Sequence, residues 1–105
     1  MKLPKKVNIL STTYNIKYCK KMLDVHEDED SVGSLDSENN IINIYSKGRS
    51  DVDILKTLLH EILHVIFFQC NMFWIYESKF HEATVDTLSN NLVDVFIRNK
   101  MITFD

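Results

Sequence analysis

Hydrophobic positions follow two different rhythms along the chain. Before residue 46 they come in short runs rich in β-branched and aromatic types: Val7 to Leu10, Tyr14 to Tyr18, Val32 to Leu35 and Ile41 to Tyr45. Short runs of this kind, separated by turn-forming residues, predict strands. The Ser11-Thr12-Thr13 segment suits a tight turn and predicts a first hairpin. The turn residues Asp36-Ser37-Glu38-Asn39-Asn40 predict a second. Ile42 and Ile44 alternate with Asn43 and Tyr45, which turns one face of the last strand toward a core and leaves the other partly wet.

After residue 50 the period changes. Ser50, followed by Asp51 and Asp53, reads as a helix N-cap with negative charge at the positive end of the helix dipole. No glycine or proline interrupts the chain from Asp51 to about Gln69, and apolar residues fall on nearly every side of that segment. This predicts a buried central helix. A second helix is predicted from about Ser78 to Asn99, with Val85, Leu88, Leu92, Val95 and Phe96 as its apolar stripe. Residues Asn71 to Tyr76 form a short aromatic connection between the two. Strands followed by two long helices define an α+β protein: a small antiparallel sheet of about three or four strands packed on both helices.

With 105 residues, the chain fits one domain spanning 1–105, so any site must be built from the core elements themselves. Its 45% hydrophobic and 26% charged residues argue for a folded globule. The formal net charge is -3 and the basic residues are scattered, apart from Lys5, Lys6, Lys20 and Lys21. Direct nucleic-acid binding, which calls for a contiguous basic face, is not expected. The acidic run Glu27 to Asp30 reads as a solvated loop. No apolar run approaches the roughly 18 residues needed to span a bilayer. The two cysteines, Cys19 and Cys70, lack metal-site spacing, and with no secretory leader in view the expectation is a cytoplasmic protein with reduced thiols.

The strongest chemical signal is HEILH, residues His60 to His64. Side chains four apart on a helix share one face, so the two imidazoles can aim at one point. Zinc takes neutral imidazole at about 2.0 Å, and catalytic zinc sites keep one position open. Glu61, turned about 100° from His60, falls beside such a metal, where it can act as a general base. The plainer alternative is a helix that merely packs two histidines. A third ligand has to come from the next helix, which offers His81, Glu82 and Asp86. His81 falls in line with the apolar stripe and Glu82 at its edge, and spacing alone leaves both open.

HEILH followed eighteen residues after His64 by EATVD resembles the gluzincin pattern, HExxH with a downstream ExxxD, of thermolysin-like peptidases. The resemblance implies a zinc ion held by His60, His64 and Glu82, with Asp86 hydrogen-bonding a zinc-bound histidine and Glu61 as the catalytic base. His81 is then only an alternative ligand. In size and layout the chain is similar to the short phage and mobile-element metallopeptidases of the ImmA/IrrE type. EATVDTLSNNL retains the glutamate and the apolar register of that family's second helix, with Asp86 in place of the usual asparagine. The likeness spans about residues 32–98 and implies a minimal zincin of phage or mobile-element origin. Its substrate would be a specific protein or peptide inside a bacterial host, such as a repressor. A zinc-containing module that captures a regulator without cleaving it is the alternative.

Hydrolysis also needs a donor for the oxyanion. Tyr45, Tyr76 and His81 are the candidates, although a core or boundary position is the simpler reading of each tyrosine. Trp74, with Phe73 and Met72, suits either a cleft lining or packing beneath the helices.

Overall fold

A computed structural model describes residues 3–21, 24, 31–70 and 81–101, excluding the side chain of His81. Its elements are β1 (Lys6–Ile9), β2 (Thr12–Cys19), β3 (Gly33–Asp36), β4 (Ile41–Tyr45), α1 (Asp51–Gln69) and α2 (His81–Arg98). The class is α+β, as expected, with four strands and two long helices. The acidic run at 27–30 and the aromatic connection at 71–76 lie outside the described residues.

The expectation of an antiparallel sheet holds within each hairpin and is corrected between them. Strand order is β1-β2-β4-β3, with β2 and β4 parallel at the centre. Burial explains why β4 rather than β3 takes the inner place. Ile42 and Ile44 are fully buried, each worth about 1.5–3 kcal/mol, whereas every residue of β3 is only partly buried. The apolar strand goes to the centre, and the short strand GSLD closes the sheet.

The first turn is also shifted from its expected place. Ile9 pairs directly with Thr12, so the loop is the two residues Leu10 and Ser11, with φ of 48° and 75°. Two-residue turns with positive φ match the right-handed twist of the strands they join. Thr12 and Thr13, being β-branched, extend β2 instead. In the second hairpin Asp36 accepts hydrogen bonds from the Asn39 backbone and side chain at 3.2 and 2.9 Å.

One face of the sheet, through Ile9, Tyr14, Ile16, Ile42 and Ile44, packs on Ile54, Leu55, Leu58 and Val65 of α1. Ser50 caps α1 by accepting from the Asp53 amide at 3.1 Å. At the other end, Gln69 donates to the Tyr14 hydroxyl at 2.7 Å and ties the helix to β2. The second helix packs chiefly on α1, which leaves α1 between the sheet and α2.

The buried stripe of α2 differs from the one periodicity predicts. Val85, Ser89 and Val93 are buried, while Leu88 and Val95 are exposed. These three lie on one i, i+4, i+8 ridge, and the small Ser89 at its centre allows a close approach of the helices. Its hydroxyl is satisfied by the Asp86 carbonyl at 3.1 Å, so burying it carries little penalty.

Candidate metal centre

The α1–α2 interface brings the two sequence motifs together. His60 meets Asp86 and His64 meets Glu82, a crossing of contacts that makes the helices antiparallel there. The Glu82 carboxylate straddles the histidine pair, with Oε2 at 3.2 Å from His60 Nε2 and Oε1 at 2.9 Å from His64 Nε2. The two Nε2 atoms are 2.9 Å apart. Both imidazoles are largely buried, whereas Glu82 and Asp86 lie at the solvent-facing rim.

Proton accounting shows what this cluster is suited to hold. His60 Nδ1 lies 2.7 Å from Asp86 Oδ1, and a carboxylate there makes Nδ1 the protonated nitrogen. In neutral His60, Nε2 is then a lone pair facing a second imidazole nitrogen and a carboxylate oxygen. At most one proton fits between the two Nε2 atoms, and lone pairs converging on one point repel unless a cation lies among them. His60, His64 and Glu82 offer ligand atoms that all lie within 4.8 Å of one another, and together they can hold a metal ion. Bonds of about 2.0–2.1 Å in tetrahedral geometry separate ligand atoms by roughly 3.3 Å. The observed 2.9–3.2 Å separations are within a few tenths of that. The donor set of two imidazoles and a carboxylate therefore suits a divalent metal ion.

Of the other candidate residues, His81 begins α2, but its side chain is not among those described. Tyr76, Trp74, Phe73 and Met72 also lie outside the described residues. Tyr45 is absent from the cleft lining and contributes its backbone carbonyl to Arg49.

Glu61 lies beside the cluster and is 7% exposed. Burial pushes its carboxyl up to about 7; the neighbouring His60 works against this and the negative charge of Glu82 adds to it. One wall of its enclosure is backbone. A Cβ placed on Gly33 would stand 2.9 Å from Glu61 Oε1 and 2.8 Å from Thr57 Cγ2. Only glycine lets β3 approach α1 this closely.

These groups open into a cleft of about 780 Å³, within the usual range of ligand pockets. Its floor is the face of α1 carrying Thr57, His60, Glu61 and His64. Residues 31–35, leading into and along β3, form one wall, and Glu82, Asp86, Ser89 and Asn90 of α2 form the other. Arg49, Lys56 and Thr57 also line it, and sequence reasoning did not single them out. Thr57 and Lys56 were accessible to it in principle, since they lie one helical turn before Glu61 and His60. Arg49, in the loop before α1, carries no local signal.

Compared with known families, curated proteins and solved structures, the chain matches none significantly. Among the described residues, no helix is long and apolar enough to cross a membrane.

Proposed function

We infer that this protein is a zinc-dependent endopeptidase of the gluzincin type, a minimal zincin of phage or mobile-element origin. Its expected substrate is a specific protein in the bacterial cytoplasm, such as a repressor. The observation that carries this reading is the buried Glu61 carboxylate beside a three-ligand cluster that faces an open cleft. A purely structural zinc site closes its coordination with four protein ligands and has no use for a neighbouring base.

Zinc, when bound, polarises the scissile carbonyl and the attacking water as a Lewis acid. The chain supplies the remaining chemistry. Glu61, buried beside the cluster, is placed to accept the proton of the attacking water and to return it to the departing amine. Asp86 holds the His60 ring with Nδ1 protonated, so that Nε2 remains a donor to the metal. An extended substrate segment lying along β3, the last strand of the sheet, would pass over the cluster.

The test is co-expression with genomic neighbours of the gene, comparing wild type with Glu61→Gln after metal content has been measured. A fragment produced only by the wild type supports the peptidase. A neighbour that binds both forms equally and stays intact, with zinc present in both, overturns it in favour of a capture module.

A further inference from the structure

The cleft has a cationic end whose charges form no ion pair among the described residues. Arg49 is partly buried, and its guanidinium is fixed by three neutral oxygens. Nη1 donates to the Tyr45 carbonyl at 2.7 Å, and Nη2 donates to the Asp53 carbonyl at 3.0 Å and to Thr57 Oγ1 at 2.6 Å. Those bonds hold the group in place but leave its charge uncompensated, and Nε and the second hydrogen of Nη1 are still available. Lys56, also partly buried, lines the same region. Neither cation forms an ion pair with a carboxylate among the described residues. Asp53 lines this end too, but is exposed. No other lysine or arginine lines the cleft among the described residues, and its other end carries the exposed ring of Phe68. Apart from the metal cluster, this end is therefore the favourable place in the cleft for a carboxylate to sit.

We propose that Arg49 and Lys56 form a subsite for an aspartate or glutamate side chain of the bound polypeptide, set off to one side of the metal cluster. A partly desolvated cation gains most from a carboxylate that reaches it with hydrogen bonds, and a planar guanidinium already held in place loses little entropy in making them. The position follows from the helix. Arg49 is anchored on Thr57, which precedes Glu61 by four residues and therefore by about 6 Å of helix rise. An extended chain advances roughly 3.3 Å per residue. The acidic residue therefore falls about two positions from the bond presented to Glu61. This deepens the peptidase reading and rests on it only for the identity of that bond.

The experiment is an NMR titration of zinc-loaded Glu61→Gln protein, which prevents turnover. The probes are end-blocked hexa-alanine peptides with a single Glu, Gln or Lys moved along the sequence. At one or two adjacent positions Glu is expected to bind about 5- to 10-fold more tightly than Gln, with shifts at Arg49 and Thr57. That advantage should shrink in Lys56→Gln and Arg49→Gln, and fall as salt rises. Lys56→Gln keeps the test decisive if loss of the Arg49 brace unfolds the protein. Equal binding of Glu and Gln peptides, an advantage that survives in Lys56→Gln and is insensitive to salt, or no peptide shift at Arg49 and Thr57 up to millimolar concentration would overturn the subsite. A Glu preference in a protein that cleaves nothing supports the subsite while removing the peptidase reading. Cleavage with no acidic preference does the reverse.

Discussion

Asp86 Oδ1 lies 2.7 Å from Nδ1 of His60, on the side of the ring away from the cluster. That contact orients the imidazole and, in the neutral ring, leaves Nε2 as the lone-pair nitrogen, so α2 positions the histidine on α1 as well as contributing Glu82. Asp86→Ala should leave the metal bound but weaken affinity about 10- to 100-fold, the usual effect of losing such a partner. Glu82→Ala should cost more, and His60→Ala or His64→Ala should abolish retention. Chelator competition on the purified proteins measures all four. Unchanged affinity in Asp86→Ala would show that the ring needs no such orientation.

Glu61 is buried and its carboxyl titrates higher in the folded chain than the ordinary 4.5, at about 7. The folded state therefore holds this proton more tightly than the unfolded state does. The resulting stability is fully present below about pH 4.5 and is lost as pH rises through 7. In the metal-free protein the loss amounts to on the order of 3 kcal/mol at most, opposed by His60 and reinforced by Glu82. Denaturant unfolding at pH 5.5 and 8 should show it in metal-free wild type, and Glu61→Gln should remove that component. Identical pH dependence in both proteins would mean the carboxyl is already ionised in the fold.

Gly33→Ala should strain the wall around Glu61. The added methyl would meet Thr57 Cγ2 at 2.8 Å and Glu61 Oε1 at 2.9 Å, and overpacking of this kind costs about 1–3 kcal/mol. Thr57→Ser deletes the obstructing Cγ2 and keeps the hydroxyl that Arg49 holds, so the double variant should recover part of that stability. Metal content should be unchanged, because no ligand is touched. A double variant no more stable than Gly33→Ala alone would count against the close approach of β3 and α1.

Leu10 adopts φ of 48° in a two-residue turn and is 56% exposed. A leucine gains nothing there from burial and bears the steric cost of the left-handed region, about 1–2 kcal/mol. Replacing Leu10-Ser11 with Asn-Gly, the pair such turns prefer, should raise the unfolding midpoint by the equivalent of about 1 kcal/mol. A lower midpoint would show that the Leu10 side chain contributes packing its exposure does not suggest.

Several features were legible in the sequence because they depend on neighbours within a turn or two of the chain. The Ser50 cap, the span of α1, the pairing of His60 with His64 on one face and the placement of Glu61 beside them follow from helix geometry alone. The two hairpins follow from strand runs and turn residues, although the turn at Leu10 and Ser11 shows that a strand's twist can override local turn preference. What joined distant segments was decided only in three dimensions. The parallel pairing of β2 with β4 reflects how much apolar surface Ile42 and Ile44 bury at the centre of the sheet. On α2, Ser89 is buried and Leu88 exposed because the approach of two helices selects a ridge by shape, which hydrophobicity along one helix does not encode. Spacing left His81 and Glu82 open as ligands. The fold brings the Glu82 carboxylate across both imidazoles, and it sets Gly33 against Glu61 and Arg49 on Thr57. Each of these contacts spans two elements, and its geometry exists only once packing has fixed the distance between them.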